Sequence, residues 1–290
     1  MDNPSATFYI GQMSGTSLDG VDTVLINLAG GQFSLIAQHH LAFPSSLKEQ
    51  ILEVCNGTSN ELHQCAILSN SLSQLYAQGV NAVLAQSDIS PKQVSALGCH
   101  GQTVRHVPPQ YTVQLINGAL LAELTNIDVV CDFRGRDMAA TGQGAPLVPA
   151  FHRSLFHKEN EDTFVVNIGG MSNVSYLKAD GSVLGYDTGP GNVLMDAWCQ
   201  LHTQKDYDED GQWAASGSIE SSLLSAMLNE NYFKLPAPKS TGRELFSLAW
   251  LEQFPIQNLS HENVMATLTQ LTINSIAQEI QSLNHSGDVI

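Results

Sequence analysis

Ile10-Gly11-Gln12-Met13-Ser14 and Ile168-Gly169-Gly170-Met171-Ser172 agree at four of five positions. Each follows a Thr-Phe-led apolar strand, and each precedes a further strand and a glycine hairpin signal, Ala29-Gly30-Gly31 in one case and Ala179-Asp180-Gly181 in the other. The separation is too long for a solenoid or propeller period. It predicts duplication of a whole domain that opens with β-strands and ends in helices. Two such domains facing each other would set their glycine turns on opposite walls of one cleft, a favoured place for ligands.

Working outward, apolar runs at Phe8-Tyr9-Ile10, Val24-Leu25-Ile26 and Leu35-Ile36-Ala37, separated by turn-forming stretches, predict a three-stranded meander within Ala6 to Phe43. Residues 45 to 87 have helical periodicity and few glycines, which predicts two helices. Short strands are expected at Val94 to Cys99 and Val129 to Phe133, with a helix from Gly118 to Leu124 between them. The glycine-rich run Gly135 to Gly144 should lead into a helix starting near Ala145-Pro146, where proline suits a first turn. A second β-rich block is expected from Thr163 to Asp187, and helices from Val193 onward. The domains are expected at 1–159 and 160–290.

Composition narrows the function. The chain has 290 residues, 43% of them hydrophobic, enough for about two domains at ~100 to 200 residues each. Twelve Lys and Arg against 28 Asp and Glu give a net charge of −16, which repels phosphate backbones and anionic bilayers. Nucleic acid and membrane are therefore not expected as partners. No apolar run reaches the ~18 residues of a membrane helix, and Met1-Asp2-Asn3-Pro4-Ser5 lacks a basic n-region, so a cytoplasmic protein is expected. Cys55, Cys65, Cys99, Cys131 and Cys199 contain no CxxC pair and read as reduced thiols, mostly buried.

Five segments could carry chemistry. Gly15-Thr16-Ser17-Leu18-Asp19-Gly20 has P-loop glycine spacing, but Val21-Asp22 stands where Lys-Ser/Thr is required. Its backbone amides can still cradle a phosphate, with Asp19 or Asp22 on Mg²⁺ through water; the bland alternative is a hairpin loop. The second turn, Asn167 to Asn173, offers Gly169 and Gly170 for a matching phosphate wall. Asp187, at a strand end before the helix near Val193, is placed to stay ionised and act as a base, or to serve as a turn aspartate. Gly98 to Thr103 places His100, Gln102 and Thr103 after a strand, with His100 suited to a structural or substrate hydrogen bond rather than a metal. Arg134 and Arg136, among acids in Asp132 to Asp137, form either an ion-pair network or a fork for an anionic substrate group. Asp206 to Gly211 lacks the closing glutamate of a calcium loop and reads as a solvated acidic turn.

These residues together resemble the anhydro-N-acetylmuramic acid kinase family, within the sugar kinase, heat-shock ATPase and actin superfamily. The matching segments are MSGTSLDGVD (Met13 to Asp22), GCHGQTVRH (Gly98 to His106), DFRGRDMAATGQGAPLVPAFH (Asp132 to His152), NIGGMSN (Asn167 to Asn173), DTGPGN (Asp187 to Asn192), YDEDG (Tyr207 to Gly211) and PKSTGRE (Pro238 to Glu244). The resemblance implies an α/β, duplicated two-domain actin-like ATPase fold with a central nucleotide cleft, and an ATP-dependent kinase. The reaction it implies opens 1,6-anhydro-N-acetylmuramate with water and phosphorylates O6, giving the muramate 6-phosphate of cell-wall recycling. It assigns Gly15 to Asp22, thus Thr16, Ser17, Leu18, Gly20 and Val21 too, to the ATP phosphates, with Asp19 on Mg²⁺ and Asp187 as base. Asn167, Gly169 and Gly170 would form the second phosphate wall, and His100, Gln102, Thr103, Arg134 and Arg136 the sugar pocket. A homodimer is a further expectation. The competing expectation is a nucleotide-gated binding protein of the chaperone or actin type. Thr141 stands where the family usually has glycine. Family members continue past Ile290 with a strand and an adenosine-binding turn, so the adenosine wall is expected outside these residues and ATP affinity is expected to be low.

Overall fold

The computed structural model describes residues 7–31, 33–283 and 286–290, in two compact units that divide between Thr141 and Gly142. The first unit opens with the expected meander, β1 (Phe8–Ser14), β2 (Gly20–Asn27) and β3 (Ser34–Ala42), all antiparallel. Helices α1 (Ser45–Asn56) and α2 (Glu61–Ser87) follow, then β4 (Val94–Val107), which runs parallel to β1. The sheet order is β3-β2-β1-β4-β5, with β5 at Tyr111–Leu115 and the two-residue β6 (Val129–Val130) beside β4. Helices α3 (Gly118–Thr125) and α4 (Phe133–Ala139) complete the unit.

Alternation on β2 buries Val21, Thr23 and Leu25 while Asp22 faces out, as a half-buried strand requires. Val21 and Leu25 share an apolar core with Leu72, Val80 and Val83 of α2 and Leu97 of β4. The helix lies so close at Gly79 that an added Cβ would sit 2.5 Å from Thr23 Oγ1. Inside this contact Gln12 Nε2 donates to Thr23 Oγ1 at 2.9 Å and to the Tyr76 carbonyl at 2.8 Å.

The second unit holds helix α5 (Pro149–Phe156), which the sequence reading placed in the first domain, followed by another antiparallel meander. Its strands are β7 (Asp162–Ile168), β8 (Met171–Leu177) and β9 (Val183–Pro190), and β10 (Gly287–Val289) lies parallel to β7 at the sheet edge. Between β9 and β10 come α6 (Val193–Thr203), α7 (Gln212–Ser216), α8 (Ser221–Leu228), α9 (Leu248–Leu251) and α10 (His261–Ser282). They enclose a core of Trp198, Met227, Phe246, Trp250, Leu251, Leu268 and Leu271. Thus each unit contains a three-stranded antiparallel meander followed by helices, the second with α5 before it and β10 after.

Several expected boundaries differ. The strand expected to end at Cys99 continues to Val107 and pairs with the unanticipated β5, so His100, Gln102 and Thr103 lie within a strand. The strand expected to reach Phe133 ends at Val130, because Asp132 turns into the left-handed region (φ +61°) and α4 starts there. Helix α5 begins at Pro149 rather than near Pro146. Thr141 adopts φ +72°, a backbone conformation that favours glycine. Cys99 and Cys199 are buried, but Cys55, Cys65 and Cys131 are half-buried, so the thiols are not mostly interior.

Candidate active site

In the first unit, the turn between β1 and β2 is pinned by the side chain of Leu18, which is buried although its backbone has φ +60°. That anchor leaves Thr16, Ser17 and Asp19 exposed on the outside of the turn. The Asp19 carboxylate is braced from two sides, with Oδ1 accepting from Ser17 Oγ at 2.8 Å and from the Gly20 amide at 3.0 Å. Gly20 is crowded by β3, where an added Cβ would meet the Leu41 carbonyl at 2.4 Å. Val21 lies wholly in the core, so it can offer a ligand only its backbone, and Asp22 is engaged by His40 Nδ1 at 2.9 Å.

The turn is tied to β4. Gln102, fully buried, donates from Nε2 to the Gly15 carbonyl at 3.2 Å, and Ser14 Oγ shares a hydrogen bond with Tyr76 OH at 2.9 Å. Gly101, at φ +74°, introduces a kink beside the register shifts of β4, and an added Cβ would approach the Leu115 carbonyl to 3.0 Å. The neighbouring His100 is buried, with Nδ1 2.7 Å from the Gly101 carbonyl and Nε2 accepting from Arg134 Nε at 2.7 Å. Burial and the Arg134 charge lower its pKa to about 4, so the ring is neutral. The same two causes lower His106 to about 4. Thr103 Oγ1 accepts from Gln114 Nε2 at 3.2 Å. Arg136 is exposed and forms no ion pair among the described residues.

The first unit thus brings the turn, His100, Gln102, Thr103 and Arg134 into one hydrogen-bonded neighbourhood. Asp187, Asn167, Gly169 and Gly170 belong to the second unit.

There, Asp187 sits within β9, 5% exposed, opposite Asn173 of β8. Its amide donates to the Lys239 carbonyl at 3.0 Å, its carbonyl accepts from Tyr232 OH at 2.6 Å, and its Oδ2 accepts from the Thr241 amide at 3.0 Å. The β7–β8 turn is stitched to the entry of α6: Gly170 O accepts from Gly191 N (2.9 Å) and Val193 N (3.1 Å), and Gly169 O accepts from Asn192 N (2.8 Å). Asn167 is exposed beside this turn. The Asp206 to Gly211 stretch is largely exposed, but Asp208 accepts from the Trp213 and Ala214 amides at 2.9 and 2.8 Å, so it caps α7.

Sequence reasoning gave no role to Tyr232, Lys239, Thr241 or Glu279. Nothing local marks them, since they come from a coil-rich segment and a helix far along the chain from Asp187; the segment PKSTGRE matched the family resemblance but carried no assigned role.

A profile of the anhydro-N-acetylmuramic acid kinase family matches residues 7–289. The anhydro-N-acetylmuramic acid kinase of Nitrosomonas europaea is 50% identical over 278 residues, covering 95% of this chain and 77% of that protein. That of Pseudomonas fluorescens is 48% identical over 277 residues, covering 94% and 76%. Among solved structures, the Ppx/GppA phosphatase of Aquifex aeolicus, type II variant, is 11% identical with a TM-score of 0.39, over 94% of this chain and 92% of that one, a likeness too slight to argue from. With about half of all positions shared over nearly its whole length, the chain belongs to the anhydro-N-acetylmuramic acid kinase family.

Proposed function

We propose that this chain is an ATP-dependent kinase that opens 1,6-anhydro-N-acetylmuramate with water and phosphorylates O6, yielding N-acetylmuramate 6-phosphate for cell-wall recycling. The family match over residues 7–289 carries this reading. The geometry is compatible with each role it requires. Asp187 takes the proton from water as the water oxygen bonds the anomeric carbon; the bond from that carbon to O6 breaks, and O6 receives the γ-phosphoryl group while ADP leaves. A base held this way contributes ~10² to 10⁴ in rate. His100, Gln102, Thr103, Arg134 and Arg136 bind the sugar in this reading, with the guanidinium forks directed to its anionic group.

The turn from Gly15 to Asp22 and the turn holding Asn167, Gly169 and Gly170 receive the ATP phosphates in this reading. The exposed, braced carboxylate of Asp19 fits a magnesium ion, which typically takes one or two carboxylates plus phosphate oxygens and water. When bound, the ion would supply neutralising charge for the transferring phosphoryl group. Among the described residues no helix is long and apolar enough to cross a membrane. The net charge of −16 supports the reading that nucleic acid is not a partner; a cytoplasmic location and a homodimer belong to the same proposal.

The test is incubation with ATP and the anhydro sugar in ¹⁸O-labelled water. Sugar-dependent ADP release, with one phosphate and one ¹⁸O gained by the sugar, is the expected result. ATP turnover indifferent to the sugar would sink it and favour the nucleotide-gated binding protein instead.

A further inference from the structure

Three hydrogen bonds to Asp187 come from one stretch of chain: Tyr232 OH donates to its carbonyl, its amide donates to Lys239 O, and the Thr241 amide donates to its carboxylate. That stretch is largely without regular structure between α8 and α9, so its own backbone does little to hold it. What fixes it is the Lys239 side chain, only 4% exposed. Its ammonium donates to Glu279 Oε1 of α10 at 2.6 Å and to the Tyr232 carbonyl at 3.3 Å, and lies 4.9 Å from the centre of the Tyr232 ring. One buried cation therefore joins both ends of the clamp to the long helix beneath. Burying an ion pair is a poor way to gain stability, because well-packed apolar side chains of the same volume do as well or better. Its directional bonds define position, which apolar contacts do not.

We propose that the Lys239–Glu279 pair, with Tyr232, is a positioning device that holds the Asp187 carboxylate in its productive orientation. The inference rests on Asp187 being the base of the proposed reaction. Lys239, Glu279 and Tyr232 are positioning residues in it: they act on the backbone around Asp187 and on the segment that donates to its carboxylate. Because displacement by about 1 Å can cost ~10² in rate, loosening the clamp should reduce turnover without weakening substrate binding.

The experiment replaces the whole pair, Lys239→Met with Glu279→Leu, so that neither charge is left buried alone, and separately makes Tyr232→Phe, which removes only the hydroxyl. Both are compared with Asp187→Asn by steady-state kinetics and thermal melting. The expected result is kcat lowered at least ~10-fold in both variants, with KM for ATP and for the anhydro sugar within ~2-fold of wild type. A merely structural pair would move the melting temperature and leave kcat alone. Wild-type kcat in the folded double variant overturns the proposal; should that variant not fold, wild-type kcat in Tyr232→Phe overturns it. An active Asp187→Asn protein instead removes the base assignment, a failure distinct from that of the clamp.

Discussion

Arg134 Nε donates to His100 Nε2 at 2.7 Å, and because a guanidinium only donates, that ring nitrogen must be the acceptor. The proton therefore resides on Nδ1, which reaches the Gly101 carbonyl at 2.7 Å. The tautomer is set, and the guanidinium plane is set with it. Lysine has no equivalent of Nε and cannot hold both His100 and a substrate group in one plane. Arg134→Lys should raise KM for the anhydro sugar about 10-fold and KM for ATP less than about 2-fold. Arg136, which has no ion pair among the described residues, gives the complementary case: Arg136→Lys should leave the melting temperature unchanged and raise only the sugar KM. Steady-state kinetics with each substrate varied, alongside melting curves, checks both; a lowered melting temperature for Arg136→Lys with normal kinetics would restore the ion-pair reading.

The neutral histidines carry a pH dependence whose sign is determined. His100 and His106 each have a folded-state pKa of about 4, below the unfolded value of ~6.5. Above that unfolded value neither state is protonated and the two groups have no effect. As pH falls through ~6.5 the unfolded chain takes up protons that the folded chain refuses, so stability declines until pH reaches about 4. Asp196, raised to about 6 by burial against the pull of Arg243, works in the opposite sense over the same range. Comparison with a variant is therefore more informative than the wild-type curve alone. His106→Phe should show a shallower loss of stability between pH 7 and 5 in urea unfolding, whereas parallel curves would mean that His106 is freely protonated in the folded protein.

The meanders were legible because short apolar runs, such as Phe8 to Ile10, Val24 to Ile26 and Leu35 to Ala37, are separated by turn-forming stretches. The duplicated glycine turns were legible because Ile10 to Ser14 and Ile168 to Ser172 agree at four of five positions, each beside a strand pair. β5 was not, since Tyr111 to Leu115 alternates only briefly and follows Pro108-Pro109, a pair that reads as loop. α4 was hidden by Gly135 in its first turn, a residue that reads as a helix breaker. The Asp187 clamp could not be read at all. It depends on Tyr232, Lys239 and Glu279 converging from distant places in the chain, and no local periodicity encodes such a meeting.

Asp19 offers a test of the first phosphate turn. Its carboxylate is exposed and fixed by Ser17 and Gly20, so removing it alters charge and ligand capacity without opening the core. Asp19→Ala should raise KM for Mg·ATP at least ~10-fold while sugar affinity, measured calorimetrically, stays within ~2-fold. Ser17→Ala, which removes one of the two donors on Oδ1 but keeps the charge, should have a smaller effect in the same direction. Equal weakening of sugar and nucleotide in a folded Asp19→Ala protein would detach this residue from the phosphates.

The second turn can be probed through Gly191, which touches it without belonging to it. An added Cβ there would lie 2.2 Å from the Gly169 carbonyl and 2.8 Å from Ser172 Oγ, too close for either to stay in place. The Gly169 and Gly170 carbonyls are held by the Gly191, Asn192 and Val193 amides, so the intruding methyl must push the β7–β8 turn away from the entry of α6. Gly191→Ala should therefore weaken ATP binding about 10-fold or more and lower the melting temperature, while leaving the first unit's sugar contacts intact. Gly181→Ala separates displacement from backbone strain: that glycine has φ +84° with nothing within 4 Å of an added Cβ, so it should cost only ~1 kcal/mol of strain and spare nucleotide affinity. Calorimetric titration of both proteins with ATP decides the matter, because unchanged affinity in Gly191→Ala would mean that the second glycine turn shapes the fold and does not hold the phosphates.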